Sequence, residues 1–338
     1  MKIAVLHSFL DQLGGAEKVA LTLAKELKAD LITTNFNQKD ISNFGFESIN
    51  IKSLGNVSKK WPKRQQQALN LFKKNKFNNY DLLIITSEWS ISSVNKKQPV
   101  IWYVNSVPEI SNNYSEKLLK EINKYTNKIN FIIANSNKTQ RQITRYFKKD
   151  SILIYPPVEI DKFQFKKFGD YWLSVNRLDY YKRIDLQIKT FSEIPNEKLM
   201  IVGSPKSDIN TMNYFSKIKQ LSPKNITFLG EKNGKELINL YANCKGFIAT
   251  AKNEFFGITP VEAMASGKPV VAVNEGGYKE TVDIKTGILT DPTSHSLAKA
   301  IKEVSLNLEN YKENCIDKSR NFSKEKFMEH MNKIIKKF

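Results

Sequence analysis

"ATAKNEFFGITPVEAMASGKPVVAVNEGG" (249–277) reads as a loop, a helix, a strand and a second loop in succession. "PVVAV" (269–273) is a short β-branched run of the kind that fills a parallel strand covered on both faces. Ahead of it lies a segment of helical composition opened by Thr259-Pro260, and behind it Gly276-Gly277 leads into another helix. The same alternation of short apolar run and longer helical period recurs along the whole chain. "KIAVLH" (2–7), "DLIT" (30–33), "DLLIITS" (81–87), "VIWYVN" (100–105) and "NFIIANS" (130–136) read as strands of a first set. "YWLSVNR" (171–177), "KLMIVG" (198–203), "ITFLG" (226–230), "GFIATA" (246–251) and "PVVAV" form a second. Such alternation is the mark of parallel sheets wrapped by helices.

Between the two sets runs "YPPVEIDKFQFKKFGD" (155–170), with a double proline and no periodicity, which reads as a linker. The sequence therefore predicts two Rossmann-like α/β domains with doubly wound parallel sheets, spanning 1–165 and 166–320. The closing segment 321–338 is an amphipathic helix expected to pack back on the first domain. A chain of 338 residues that is 41% hydrophobic and 11% aromatic can supply two cores of ordinary domain size. No apolar run approaches the roughly 18 residues of a membrane span. "IAVLHSFL" (3–10) is too short for a signal peptide, so a cytoplasmic protein is expected. Cys244 and Cys315 give neither a disulfide framework nor metal-ligand spacing.

The net charge of +19 asks for an anionic partner. The excess is spread over both halves, with one concentration in "KKWPKRQQQALNLFKKNKF" (59–77), which holds seven Lys or Arg and no acid. Its Trp, Leu and Phe could share a helix face. It is either a solvated basic helix or a contact for an anionic membrane surface or acceptor, placing the protein peripherally on the inner face of the membrane. A nucleic acid partner is disfavoured, since no recognition motif or run of aromatic and basic residues suited to base stacking is present.

Open α/β sheets bind ligands outside the carboxyl ends of their strands, so two such domains facing each other create an interdomain cleft. The loops after strands are therefore the places to look. Gly14 and Gly15 precede a helix, where backbone N–H groups approach an anion closely, although ordinary turn geometry explains a Gly-Gly pair equally well. Arg177 and Lys182, five positions apart after a strand, combine a planar fork and a mobile point charge suited to a diphosphate. With no D-x-D pair or clustered carboxylates, no metal and no cofactor are expected. Thr259, Pro260 and Glu262 fit a capping box, with Thr259 as the cap and Glu262 reaching back to it. Glu254, ahead of "FFG", has no such structural duty.

At these residues the chain resembles glycosyltransferase family 4 (group 1), retaining enzymes of GT-B fold that use nucleotide-activated sugars. "NEFFGITPVEAMASGKPVVA" is similar to the family's signature, and "GGAEKV", "ANS", "YPPVEIDKF", Arg177 with Lys182, "LGEKNGKELINLYANC" and "EGGYKETV" follow in the family's order. The resemblance implies that Glu254 contacts the donor sugar and Glu262 the ribose. It implies that Arg177 and Lys182 bind the diphosphate, helped by amides of Phe256, Gly257, Ile258 and Thr259. It also implies that Gly14 and Gly15 approach the phosphates, and that the base lies near "VGSPK" (202–206, with Gly203) and Gly230-Glu231. Many relatives carry a histidine near the transferred sugar. Here "IWYVNSVPE" (101–109) offers Asn105, which hydrogen-bonds without charge and is a candidate sugar or acceptor contact or a buried turn residue.

The expected reaction is transfer of a hexose from GDP-mannose or a UDP-hexose to a hydroxyl of a glycan, lipid-linked glycan or protein. The alternatives are a non-catalytic protein that binds a nucleotide sugar or glycan, and, further off, a nucleic-acid-modifying transferase. Base, sugar, acceptor and oligomeric state stay open at this level.

Overall fold

The computed structural model describes residues 1–95, 97–107, 113–205 and 208–338. The chain divides into two compact units, Met1–Pro157 with Glu325–Phe338, and Val158–Lys324. The border thus falls inside the proline-rich stretch, directly after Pro157.

Unit 1 holds strands β1 (Ile3–Leu6), β2 (Asp30–Thr33), β3 (Ile51–Ser53), β4 (Leu82–Ile85), β5 (Val100–Val104), β6 (Phe131–Ala134) and β7 (Ile152–Leu153). They form a seven-stranded sheet in the order β3-β2-β1-β4-β5-β6-β7, and every pairing is parallel. Its helices are α1 (Gly15–Glu26), α2 (Gln38–Asn43), α3 (Lys63–Lys74), α4 (Asn113–Thr126) and α5 (Asn137–Phe147). The central strands are apolar on both faces, as a sheet covered on both sides requires. β1, β4 and β5 are buried throughout, and two apolar clusters, one per face, pack against them.

Unit 2 has strands β8 (Tyr171–Val175), β9 (Lys198–Val202), β10 (Ile226–Gly230), β11 (Gly246–Ala249), β12 (Val270–Val273) and β13 (Gly287–Thr290). Their order is β10-β9-β8-β11-β12-β13, again all parallel. The helices are α6 (Ile184–Ser192), α7 (Ile209–Gln220), α8 (Gly234–Asn243), α9 (Ile258–Ala265), α10 (Tyr278–Thr281), α11 (Ser294–Leu306) and α12 (Glu309–Ser319). Side-chain caps begin several helices. Ser136 accepts the Thr139 amide at 3.1 Å, Asp208 that of Thr211 at 3.0 Å, and Thr293 that of Ser296 at 3.2 Å.

The last helix, α13 (Lys324–Ile335), turns Phe327, Met331, Ile334 and Ile335 into the apolar cluster shared by β1 and α1. Phe327 meets Tyr103 edge to face at 5.7 Å.

In both units the strand order reverses once, between β1 and β4 and between β8 and β11. That reversal opens a crevice at the carboxyl ends of those two strands, the usual ligand position in such sheets.

Three strands escape a sequence reading: β3, β7 and β13. All lie at sheet edges, and their burial is partial, so none carries the continuous apolar run of a central strand. The basic segment also differs from expectation. Ala68 and Phe72 of α3 are fully buried, whereas Trp61 stands before the helix at 57% exposure, so the apolar residues share no outer face. The outward face carries Lys63, Gln66, Asn70, Lys73 and Lys74.

Candidate functional site

The unit 2 crevice is built from the loops after β8 and β11, and these are tied together before any charge is considered. Thr250 Oγ1 donates to the Lys182 carbonyl at 2.8 Å, Gln187 Nε2 donates to Thr250 Oγ1 at 2.8 Å, and the Lys252 amide donates to the Tyr181 carbonyl at 2.8 Å. Those bonds set Lys182, in a short 3-10 turn after β8, opposite Glu254. The Lys182 ammonium donates directly to Glu254 Oε2, and both side chains are about one-fifth exposed. Glu254 Oε1 accepts the Phe255 amide at 3.1 Å. Burial pushes the Glu254 carboxyl up, but the charge and hydrogen bond of Lys182, the Phe255 amide and the charge of Arg177 outweigh it and hold it below its ordinary value. Glu254 is therefore a carboxylate at neutral pH. It can accept hydrogen bonds from hydroxyls but has no proton to give.

Arg177 lies beside this pair with its side chain 62% exposed and its Nε 3.8 Å from Asp179 Oδ2. It is a cation open to a ligand and held only loosely by the protein.

A second charged bridge was not foreseen from the sequence. Glu275 Oε1 accepts from Arg183 Nη1 at 3.0 Å, and its Oε2 accepts the Asn253 amide at 3.2 Å. One carboxylate thus joins the loop after β8, the loop after β11 and the loop after β12. The two glycines that follow explain how these loops come so close. A Cβ on Gly276, whose φ is +57°, would lie 2.2 Å from the Glu254 carbonyl oxygen. The Gly277 amide donates to that same carbonyl at 2.8 Å. The signal available in the sequence was the Glu ahead of the paired glycines.

The expected capping box at the start of α9 is not formed. The helix begins at Ile258, with Gly257 as its cap at φ 93° and no side-chain cap bond. Thr259 is then the second helical residue, and Pro260 the third, where the N–H it lacks would have had no helical partner. Glu262 lies too deep in the helix to reach back. It is 6% exposed, and its Oε2 accepts the Tyr241 hydroxyl at 2.8 Å. Burial, reinforced by the Glu262 charge, pushes the Tyr241 phenol well up, so it stays a donor. Phe256 is buried with its ring against Phe322 at 5.3 Å. The amides of Gly257, Ile258 and Thr259 open the helix and have no helical acceptor of their own.

Elsewhere in unit 2, Gly203 follows β9 and its amide donates to the Gly230 carbonyl at 2.9 Å. Glu231 accepts a hydrogen bond from Ser204 Oγ. Lys206, at the end of "VGSPK", lies outside the described residues.

Unit 1 places its candidates in a network of mostly neutral groups. Gly14 caps α1 and Gly15 is its first residue. Glu17 Oε2 accepts the Gly14 amide at 2.9 Å, and Glu17 Oε1 lies 3.6 Å from His7 Nε2. Burial raises the Glu17 carboxyl, while His7 and the Gly14 amide lower it further than burial raises it. His7 Nδ1 meets Thr86 Oγ1 at 2.9 Å, and Asn105 Nδ2 donates to the Thr86 carbonyl at 2.8 Å. Asn105 thereby joins the ends of β4 and β5, and its own carbonyl accepts Asn135 Nδ2 at 2.7 Å. Among the described residues no group of three or more His, Cys, Asp or Glu is placed to hold a metal ion. None of the described helices is long and apolar enough to cross a membrane.

Residues 157–322 match the profile of the glycosyl transferases group 1 family. Over these residues, just under half of its length, the chain is similar to the group 1 glycosyltransferases. It is similar to the alpha-1,3/1,6-mannosyltransferases ALG2 of Dictyostelium discoideum and Homo sapiens. The first is 29% identical over 254 residues, covering 61% of this chain and 60% of the relative. The second is 27% identical over 210 residues, covering 52% of this chain and 50% of the relative. The chain therefore spans half to three-fifths of the length of those relatives. Among solved structures, HepE of Anabaena in complex with UDP and glucose superposes with a TM-score of 0.85 at 19% identity, over the full length of both chains. A sucrose-phosphate synthase of Thermosynechococcus elongatus does so at 0.79 and 16% identity, covering 99% of this chain and 98% of that one. The fold is GT-B.

Proposed function

We propose that this glycosyltransferase moves a hexose from a nucleoside diphosphate sugar to an acceptor hydroxyl with retention of anomeric configuration. The observation that carries the proposal is the Lys182–Glu254 ion pair at the switch point of unit 2, with the exposed Arg177 cation beside it. Arg177 and Lys182 take the leaving diphosphate, and the amides at the start of α9, which have no acceptor within the helix, donate to its oxygens. Before the donor arrives Glu254 occupies Lys182. A bound diphosphate competes for that ammonium and frees Glu254 oxygens for sugar hydroxyls. Glu262 reaches the ribose, and Gly203 and Glu231 border the base. Side chains and amides, rather than a divalent ion, meet the developing negative charge.

Glu254 is ionised and already bonded, which suits hydroxyl recognition and stabilisation of positive charge on the sugar better than proton donation. Attack then occurs from the face the diphosphate leaves, and the departing phosphate oxygen takes the proton of the acceptor hydroxyl. The mannosyltransferase names of the relatives favour GDP-mannose, and the UDP bound by the Anabaena protein favours a UDP-hexose.

The test is transfer from radiolabelled GDP-mannose and UDP-glucose to a mixture of glycan acceptors, with and without EDTA, by the wild type and Lys182→Ala. Transfer with one donor, unaffected by EDTA and lost in a folded Lys182→Ala, supports the reading. Nucleotide sugar binding with neither transfer nor hydrolysis would reassign the chain to a non-catalytic binder.

A further inference from the structure

At the switch point of unit 1 the structure has an aromatic group that the donor reading does not use. Phe9 follows β1 and Trp89 follows β4, the two strands that flank the reversal. Trp61 bridges them, meeting the Phe9 ring at 6.1 Å and the Trp89 ring at 6.2 Å, edge to face in both cases. Arg64 holds the base of this group. Its guanidinium carbon lies 4.0 Å from the centre of the Phe9 ring, and its Nη2 donates to Asp11 at 2.5 Å.

Phe9 and Trp89 are largely covered, whereas the Trp61 indole remains 57% exposed. A large aromatic surface kept in water at a ligand position has a hydrophobic cost that packing does not explain.

Lys59 and Lys60 directly precede Trp61 in the chain and Lys63 follows it by two positions, all three exposed, and among the described residues none of the three has an acidic partner within ion-pair distance. They also crowd the N-terminal end of α3, which has no acid in its first turn and no side-chain cap. The helix dipole is already positive there, so an anion would relieve the local field. Three point charges without a planar fork suit a phosphate dianion better than a single carboxylate. An exposed indole suits the apolar face of a sugar ring.

We infer that Trp61 with Lys59, Lys60 and Lys63 forms an acceptor subsite for a phosphate-bearing saccharide, its sugar ring on the indole and its phosphate on the lysines. This rests on the transferase reading and names the acceptor class for it. The other possible occupant, an anionic bilayer, would use the same lysines but would also draw on the distant Lys73 and Lys74 face of α3. It gains nothing from a position over a switch point.

The other three tryptophans, Trp89, Trp102 and Trp172, are 7%, 1% and 0% exposed, so changes in indole emission on ligand addition report on Trp61. The full chain is first mixed with UDP or GDP, whichever raises its melting temperature, to fill the donor site. It is then titrated with a hexose 1-phosphate and, separately, with the neutral methyl hexoside. The expected result is an emission change with the phosphate sugar alone, weakened about tenfold or more in a Lys59→Gln, Lys60→Gln, Lys63→Gln triple variant and suppressed by added salt. The change should be absent in Trp61→Tyr, whose nucleotide-induced melting shift shows that it is folded. An equal response to the neutral glycoside, or an undiminished response in the triple variant, overturns the inference. So does sedimentation with phosphatidylglycerol vesicles accompanied by a blue shift of Trp61, which would assign the patch to a membrane. If neither nucleotide shifts the melting temperature, it is the transferase reading that fails.

Discussion

The two units share a sheet plan and a switch point, yet their crevices are held together by different forces. In unit 2 the loops after β8, β11 and β12 are joined by ion pairs, Lys182 with Glu254 and Arg183 with Glu275. In unit 1 the loops after β1, β4, β5 and β6 are joined to one another by hydrogen bonds, from His7 to Thr86 and from Asn105 and Asn135 to backbone carbonyls, while the ion pair of Arg64 with Asp11 ties the loop after β1 to α3 instead. The charged version creates groups that a ligand can recruit by competition. The neutral version keeps a shape and leaves recognition to what surrounds it. A function that handles a diphosphate in one place and a hydroxyl in another fits that division.

The largest break in the comparison should come from Lys182→Ala. It removes a cation from the charge-handling crevice and strands Glu254, so kcat should fall about a hundredfold to a thousandfold in a transfer assay, with the fold intact by circular dichroism. Next is Gly276→Ala. The new Cβ has nowhere to go against the Glu254 carbonyl, and a misplaced site should lose roughly a hundredfold in rate alongside a lower melting temperature. Thr86→Val sharpens the contrast from the other side. It should cost about 1–2 kcal/mol in denaturant unfolding by orphaning His7, with the nucleotide-induced melting shift retained.

The smallest effect concerns a charge away from either crevice. Lys268 is fully buried, its ammonium lying 4.2 Å from the centre of the Phe165 ring and 4.8 Å from that of Phe168 and donating to the Lys167 carbonyl. Burial lowers its pKa to about 8. Between about pH 8 and the ordinary lysine value of 10.5 the unfolded chain binds the extra proton, so this residue's contribution to stability rises with pH across that window. Lys268→Met should remove that part of the slope in paired unfolding curves, and an unchanged slope would deny Lys268 the role.

The buried strands of both sheets were legible because β1, β4, β11 and β12 must be apolar on two faces. β3, β7 and β13 were not, because an edge strand half in water needs no such pattern. Glu254 and Lys182 were legible as types at a spacing, and the structure adds that each is the other's partner. Glu275 and Arg183 stayed hidden because their pairing depends on three loops converging, which no local window records. The capping box shows the reverse failure. The residue types at 259–262 fit, but a left-handed Gly257 moves the helix start by two residues, and that shift sends Glu262 inward to Tyr241.

The position of α13 has a consequence for biosynthesis. Phe327, Met328, Met331, Ile334 and Ile335 complete a cluster whose other members belong to the first 157 residues. The ribosome must therefore add about 180 further residues, on the order of 9–36 s of synthesis, before that apolar surface can be closed. Until then the nascent amino-terminal half presents an unfinished seam to chaperones, while the intervening unit has every strand it needs to fold first.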